Sequence, residues 1–249
     1  MTTKKLNDNQ WLTQTYIAHR GLHFADAPEN SMAAFERAIE AGYAIEIDVH
    51  LSADGVPVVF HDHTLARMCG RDNLVTELTL SELSECRLAG TEQRIPTLEQ
   101  VLALCDGKAP LLIELKTPKK IGILESAVWA LLKDYRGLFA VQSFNPYTIK
   151  WFAKNAPQVL RGQLAATFKD SDMPAYQKYL LSRLKLAPLN KPDFIAYDTA
   201  ALPNVYVARS KRRGRAVLAW TVRNAEEFER IAPFADNIIF ENFTPAPRG

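Results

Sequence analysis

A chain of 249 residues, 47% hydrophobic and 23% charged, is long enough for one large globular core, and single α/β barrels often have this length. The net charge of +2 argues against a dedicated nucleic-acid-binding protein, which would concentrate more basic charge. The three cysteines have no CxxC spacing, which suggests neither a disulfide framework nor a zinc site.

The chain carries no sign of export or membrane insertion. The stretch Met1–Gln10 is polar, and no apolar run approaches the roughly 18 residues of a membrane-spanning helix. We therefore expect a cytoplasmic protein without a membrane span. The one basic cluster, Lys211–Arg215, is interpreted as a solvated helix end.

The first elements follow a strand, helix, strand order. Tyr16–His19 is a short apolar run that leads into a turn at Gly21. Ser31 can cap a helix whose apolar residues follow helical spacing and which ends near Gly42. The β-branched stretch Ala44–Leu51 then predicts a second strand, so the segment has the βαβ pattern.

The predicted strand Ala44–Leu51 contains two acids. Because strand side chains alternate between two faces, Glu46 and Asp48 share one face and the isoleucines beside them share the other. Two buried carboxylates repel each other unless a cation lies between them. An exposed edge strand with a solvated acidic face would explain the same alternation, so this strand alone leaves both interpretations open.

A hairpin and a small insertion follow. The apolar run Val56–Phe60 comes only four residues after the acidic strand, which is too short a link for a parallel crossover and predicts an antiparallel partner. Residues 62–95 are predicted to form a small insertion with a short helix near Thr79–Glu82. The capping box Thr97–Gln100 then begins the crossover helix.

The rest of the chain alternates between strands and helices. The predicted strands are Leu111–Lys116, Leu138–Ser143, Val159–Leu164, Phe194–Tyr197, Ala216–Val222 and Asn237–Phe240. The predicted helices are Ile121–Tyr135, Pro146–Asn155, Val205–Arg213 and Ala225–Ile231, with a looser helical region around Pro174 and Pro188. Without the hairpin strand there are eight strands, which predicts an α/β fold, a single TIM-type (β/α)8 barrel over residues 1–249. A doubly wound open sheet is the alternative, but no Gly-rich phosphate loop follows the first strand.

Ionisable residues cluster at the ends of the early strands. They are His19, Arg20, Glu46, Asp48, His61, Glu114 and Lys116. Three oxygen ligands without cysteine suit a hard divalent cation such as Mg²⁺ or Ca²⁺. An arginine and a lysine beside a metal suit an anionic group, phosphate above all. Two histidines with a pKa near neutrality can act as base and acid.

Each of these residues also has an ordinary structural interpretation. A lone histidine is more often packed or exposed than catalytic, and Lys116 could form a simple ion pair with Glu114. The joint placement at strand ends favours a site. The pair His61 and His63 could also indicate a metallohydrolase, but that class needs further histidines at later strand ends, and no histidine follows His63.

An ordered set of motifs resembles the glycerophosphodiester phosphodiesterase family. The matching pieces are His19-Arg20-Gly21, Pro28-Glu29-Asn30, Glu46-Ile47-Asp48-Val49, residues 54–62 with Thr64-Leu65 and Arg67, Ile95-Pro96-Thr97-Leu98, Glu114-Leu115-Lys116, Gln142-Ser143-Phe144 and Trp220-Thr221-Val222. The resemblance implies a (β/α)8 barrel that hydrolyses glycerophosphodiesters to sn-glycerol 3-phosphate and an alcohol. It implies a divalent metal at Glu46, Asp48 and Glu114, and acid and base roles for His19 and His61. It also implies phosphate contacts from Arg20 and Lys116 and a place in the pocket for Trp220.

Three departures from the family pattern bear on substrate choice. The loop 22–27 is one residue longer than usual and carries His23. The residues Met68-Cys69-Gly70 stand where threonines are common in the family. Residues 240–243 differ from the Thr-Asp-Tyr-Pro that many members have. A related lysophospholipid or phosphoinositide phosphodiesterase and a non-catalytic phosphate-binding barrel are the alternative functions. The expected partner is a small glycerophosphodiester, without nucleic acid, and the sequence does not indicate an oligomeric state.

Overall fold

The structure, a computed structural model, describes residues 9–117, 120–169 and 171–248. The predicted polar start Met1–Gln10 therefore lies almost wholly outside the described residues. The chain divides into two compact units, Ile17–Phe139 and Met1–Tyr16 with Ala140–Gly249. Among the described residues, no helix combines the length and the apolar character that crossing a membrane requires.

The element order is a regular alternation of strands and helices. The strands are β1 Ile17–Ala18, β2 Ala44–Leu51, β3 Pro57–Val59, β4 Leu111–Leu115, β5 Phe139–Ser143, β6 Leu160–Ala165, β7 Phe194–Asp198, β8 Ala216–Val222 and β9 Asn237–Phe240. The α-helices are α1 Trp11–Gln14, α2 Met32–Glu40, α3 Ala66–Cys69, α4 Leu80–Ser84, α5 Leu98–Cys105, α6 Ile123–Leu132, α7 Pro146–Asn155, α8 Ala175–Ser182, α9 Ala187–Asn190, α10 Val205–Arg212 and α11 Ala225–Ile231. Short 3-10 turns occupy Val75–Glu77, Leu88–Gly90 and Thr199–Ala201.

The strands of the described chain form one sheet. Its hydrogen-bonded order is β1-β9-β8-β7-β6-β5-β4-β2-β3, and β1 also pairs with β2, which closes the sheet. The antiparallel β3 is the hairpin strand attached to the end of β2. The fold is therefore the predicted (β/α)8 barrel with eight parallel strands, and the open-sheet alternative is wrong.

In the unit Ile17–Phe139, local sequence signals set the helix starts. The Ser31 hydroxyl accepts a hydrogen bond from the Ala34 amide at 3.2 Å, and Thr97 caps α5 with a reciprocal bond from Gln100.

The region of the predicted insertion contains α3 and α4. It has its own apolar cluster, which includes Leu65, Met68, Val75, Leu83 and Leu88. Whether residues 62–95 count as an insertion in a single domain stays a prediction.

The other unit contains β6–β9 and the helices between them. Its apolar cluster joins strand residues such as Ile195, Val217 and Ala219 with Ile231 of α11. The amides that begin α10 are capped by Asn204, and those that begin α11 by Asn224. The predicted helices over 121–135 and 205–213 are confirmed with shorter bounds, and the looser region around Pro174 and Pro188 contains α8 and α9.

Candidate active site

Strands β2 and β4 bring the three predicted metal ligands together. Asp48 lies opposite Glu114 in the parallel register of these strands, and Glu46 lies one period-two step before Asp48. All three are buried, with exposed fractions of 2%, 1% and 6% for Glu46, Asp48 and Glu114. One carboxylate oxygen from each lies within 4.8 Å of the others. Because β2 pairs with strands on both sides, the interpretation as an exposed acidic edge is wrong.

The electrostatics of these acids favour positive charge among them. Burial and the charges of Asp48 and Glu114 hold the pKa of Glu46 well above its usual range. Burial raises the pKa of Glu114 to about 7, although Lys116 opposes the shift. For Asp48 burial acts in the same direction, but Lys116, His61 and Arg20 outweigh it and lower its pKa. Buried, mutually repelling carboxylates with separate oxygens fit a hard divalent cation, so the residues present are suited to hold one.

Lys116 bridges two of the three acids. Its Nζ lies 2.9 Å from Asp48 Oδ1 and 2.7 Å from Glu114 Oε1. Burial alone would lower the pKa of Lys116, but these two carboxylates raise it, so the ammonium is charged at neutral pH. The predicted ion pair with Glu114 is present, and Lys116 also contacts Asp48.

The turn after β1 places Arg20 in contact with two of these acids, Glu46 and Asp48. The Arg20 amide donates to Glu46 Oε2 at 3.2 Å, and its guanidinium Nε lies 3.4 Å from Asp48 Oδ2. Gly21 has φ +83°, and a Cβ there would lie 2.9 Å from backbone atoms of Ala34, so only glycine fits this turn. The glycine therefore fixes the path that places Arg20 in the site.

Asn30 is a site residue for which the sequence predicts no specific role. It is 1% exposed, its Nδ2 donates to Asp48 Oδ2 at 2.9 Å, and its Oδ1 accepts from the Asp48 amide at 3.4 Å. Asn30 thus orients the Asp48 carboxylate. The available signal was its place in Pro28-Glu29-Asn30, three residues that the family resemblance already included.

The two predicted catalytic histidines lie beside the acids. His19 follows β1 and is half-buried, and its charge contributes to the low pKa of Asp48. His61 follows β3, and its Nδ1 lies 2.6 Å from Asp62 Oδ1. Because a carboxylate only accepts, Nδ1 carries a proton and Nε2 is left for chemistry. Burial lowers the pKa of His61, which favours the neutral form that a general base requires.

A chain of ion pairs links the two histidine-bearing loops. The Arg67 Nε donates to Asp62 Oδ2 at 2.7 Å, and its terminal nitrogens donate to Glu29 at 2.7 and 2.8 Å. Glu29 also accepts from Arg20 NH1 at 2.7 Å. Hydrogen bonds from Arg67 and His61 outweigh burial and lower the pKa of Asp62 to about 2. The part of the chain from Asp62 through Arg67 and Glu29 to Arg20 is therefore charged at neutral pH.

His50, a further histidine of β2, and the predicted pocket residue Trp220 take different places. His50 is 1% exposed, and its Nε2 donates to the His61 carbonyl at 3.2 Å, so it supports the backbone beside the site. Trp220 belongs to β8 in the other unit, where its ring meets Phe144 edge to face at 5.5 Å. Phe168 packs on Phe144 at 5.8 Å, and the three rings form an aromatic cluster.

This geometry defines a class of enzyme, and comparison with known proteins gives its family. A (β/α)8 barrel with a buried carboxylate cluster, two cations and two histidines is suited to phosphate ester chemistry. The solved structure of an Oleispira antarctica phosphodiesterase in complex with the product sn-glycerol-3-phosphate is similar, with TM-score 0.79, 25% identity and 92% of this chain and 93% of that chain covered. A glycerophosphodiester phosphodiesterase from Parabacteroides distasonis is also similar, with TM-score 0.73, 26% identity and 92% of each chain covered.

The sequence comparisons agree with the structures. The profile of the glycerophosphoryl diester phosphodiesterase family matches residues 19–243. A glycerophosphodiester phosphodiesterase of Caldanaerobacter subterraneus subsp. tengcongensis is 32% identical over 241 residues, which cover 91% of this chain and 93% of the relative. The chain belongs to the glycerophosphoryl diester phosphodiesterase family and is an enzyme of that class.

Proposed function

We propose that this enzyme uses a divalent cation to hydrolyse glycerophosphodiesters to sn-glycerol 3-phosphate and an alcohol. The observation that supports the proposal most is the convergence of three buried carboxylates with Arg20 and Lys116, since such a group serves an anionic substrate. The similar Oleispira phosphodiesterase holds sn-glycerol-3-phosphate as its product, which supports this choice of product. The predicted cytoplasmic location stays a prediction.

Glu46, Asp48 and Glu114 would hold the cation, Mg²⁺ or Ca²⁺, and the cation would supply charge neutralisation for the phosphate oxygens. Arg20 and Lys116 bind the same anionic group from the protein side. A guanidinium and an ammonium fixed against buried carboxylates need no reorganisation when charge builds up on phosphorus.

The two histidines would move the protons. One takes the proton of the glycerol 2-hydroxyl, whose oxygen attacks phosphorus, while the other donates a proton to the leaving alkoxide. The new P–O bond closes a cyclic phosphate as the bond to the alcohol breaks. Water then opens the cyclic phosphate, and the two histidines exchange roles as acid and base.

One assay tests the proposed reaction and its metal dependence. A panel of glycerophosphodiesters is incubated with the enzyme after EDTA treatment and again after addition of Mg²⁺ or Ca²⁺. We expect release of sn-glycerol 3-phosphate only with a cation present. Full turnover in EDTA would contradict the role of the acids, and turnover of lysophospholipids alone would assign the enzyme to the alternative substrate class.

Cation binding should compete with protons. Since the pKa of Glu114 is raised to about 7 and that of Glu46 is also raised, the metal-free site holds protons that a cation displaces. We expect metal affinity to rise with pH, by about tenfold per pH unit for each displaced proton. Calorimetric titration in buffers of different ionisation enthalpy counts the protons. A metal affinity that does not change between about pH 6 and about pH 8 would contradict this linkage.

The cation should also stabilise the folded protein. A ligand that binds only the native state adds about 2.7 kcal/mol at a hundredfold excess over Kd. We expect a rise in melting temperature with Mg²⁺ or Ca²⁺ that disappears in the Glu46→Gln variant. Glu99→Gln removes an exposed carboxylate from the first turn of α5 and is the control. An equal response in both variants would place the cation elsewhere.

Arg67 is proposed as a positioning residue for His61. Its guanidinium holds Asp62, which fixes the His61 ring, and it is tied to Glu29 on the other loop. We expect Arg67→Met to lower kcat roughly tenfold, as loss of a supporting contact does, with partial recovery in Arg67→Lys. Arg71→Met, four residues along, is the control. A change in KM alone would contradict the positioning role.

A further inference from the structure

A basic cavity lies in the unit Ala140–Gly249. Its volume is about 190 Å³, and it is bounded by the segment between α8 and α9, the end of α10 and the residues before β8. The residues that give it chemical character are Arg183, Lys185, Arg209, Ser210, Arg213 and Arg215. The run Lys211–Arg215 is typical of a solvated helix end in sequence, but Arg213 and Arg215 line the cavity together with cations from other parts of the chain.

The positive charge of this cavity is poorly balanced by acids. Within the described residues, Arg183, Arg209 and Arg213 have no carboxylate at ion-pair distance, whereas neighbouring Lys211 pairs with Asp236 at 2.8 Å. Burial and the charge of Arg213 lower the pKa of Arg215, against the opposing charge of Asp193. The Asp193 carboxylate is shared, since it lies 3.6 Å from Arg161 NH1. An anion in the cavity would relieve this repulsion.

Two of the guanidinium groups are held in place. Arg183 stacks over the ring of Tyr179 at 4.2 Å and faces the ring of Tyr206 at 5.5 Å. The Nε of Arg215 donates to the Pro192 carbonyl at 3.0 Å, which leaves its terminal nitrogens for a ligand. Side chains ordered in this way lose less entropy when they bind an anion.

Ser210 supplies a second, independent indication of a ligand. It is 5% exposed and lines the cavity, and its hydroxyl has no hydrogen-bond partner among the described residues. The oxygen itself is inaccessible to solvent, so the side chain must rotate before its hydroxyl can donate to a group in the cavity. A buried hydroxyl without a partner costs free energy, and a bound anion that it reaches in this way would relieve that cost.

We propose that this cavity binds a phosphate monoester group. Several guanidinium groups around one hydroxyl donor match the oxygens of a dianionic phosphate, which accepts many charge-assisted hydrogen bonds. The volume of about 190 Å³ is below that of pockets for drug-sized ligands and suits a phosphate with a small substituent. A free phosphate ester and a lipid with a phosphate monoester headgroup share this chemistry.

The test compares two variants, each of which removes one positive charge from the last turn of α10. Inorganic phosphate is titrated calorimetrically at constant ionic strength into the full chain, with and without Lys116→Met to weaken binding at the catalytic site. We expect Arg209→Gln to raise the Kd for the cavity at least about fivefold, because a charge-assisted hydrogen bond is lost. Arg212→Gln removes the same charge from the same turn of α10 but does not line the cavity, and its Kd should stay within about twofold.

The Ser210→Ala variant distinguishes a specific phosphate site from nonspecific attraction of anions by the positive charges. We expect this variant to melt at or above the wild-type temperature without phosphate, since an unsatisfied hydroxyl is removed, and to gain less stability when phosphate is added. The proposal would be overturned if Arg209→Gln and Arg212→Gln weakened phosphate binding equally. It would also be overturned if phosphate bound at the catalytic site and nowhere else.

A sedimentation experiment identifies the source of the phosphate group. The protein is mixed with phosphatidylcholine vesicles that contain or lack phosphatidic acid. Binding to phosphatidic acid that Arg209→Gln abolishes and Arg212→Gln retains supports a lipid headgroup. Phosphate binding in solution without vesicle binding supports a free phosphate ester. Vesicle binding that both variants lose equally would overturn the proposal.

Discussion

Replacement of His19 or His61 by alanine should lower kcat by about 10² to 10⁴ while the fold stays intact, the range typical of a general acid or base. The structure gives a reason for the intact fold in the case of His61. Its partner Asp62 keeps two bonds to Arg67, at 2.7 and 3.1 Å, so no carboxylate is left unpaired. Steady-state turnover per folded molecule, with circular dichroism for the fold, measures the effect.

His63→Ala is the matched control for both histidine variants. His63 lies two residues after His61, is exposed, and contacts the ring of His50 edge to face at 5.3 Å. We expect its turnover to stay near the wild-type value. Near-normal kcat in His19→Ala or His61→Ala would remove that residue from the acid or base role, and a similar loss in His63→Ala would point to a structural effect of the loop.

The orientation of the acids was predictable from the strand period. Glu46 and Asp48 are two positions apart in the sequence, and so are Glu114 and Lys116, so each pair shares a face whatever the exact strand bounds. The register that sets Asp48 opposite Glu114 was not predictable, because it depends on how β2 and β4 align along their length when they pair in the sheet. The sequence therefore indicated which groups converge but not the distance between them.

The supporting contacts were not predictable in the same way. Glu29, Asp62 and Arg67 were part of the quoted motifs, but the ion pair between Arg67 and Glu29 spans 38 positions in sequence, and no local pattern relates these two residues. The loop 22–27 is a similar case. It closes with reciprocal backbone bonds between Phe24 and Ala27, and Asp26 pairs with Arg37 at 2.6 Å. Such side-chain pairing depends on loop conformation, which composition alone leaves open.

The contacts of Lys116 sharpen the test of its role. The sequence predicts an ammonium beside the cation, and the structure places the ammonium against two of the predicted ligands, 2.9 Å from Asp48 and 2.7 Å from Glu114. Its removal should raise the pKa of both carboxylates, since an opposite charge is lost. The metal-free protein should therefore lose stability, and added cation should restore much of it.

Lys116→Met keeps the apolar stem and removes only the charge. Because the charge on a phosphodiester increases as the nucleophile adds, a cation at this place stabilises the transition state more than the bound substrate. We expect kcat and kcat/KM to fall together by about 10² to 10³, the range for loss of one preorganised electrostatic group. Metal affinity should hold or improve, because a repelling cation has gone.

The control for this variant is Lys108→Met, which removes an exposed ammonium whose only described contact is the Leu104 carbonyl at 3.3 Å. It should leave kcat, metal affinity and melting temperature near their wild-type values. The measurement is kcat per folded molecule with saturating cation, taken beside the melting temperature of the metal-free protein. If Lys116 serves only to neutralise the two buried carboxylates, Lys116→Met will melt at a lower temperature and turn over normally once the cation is bound. That outcome would remove Lys116 from catalysis, because the cation would then have replaced everything that the ammonium contributed.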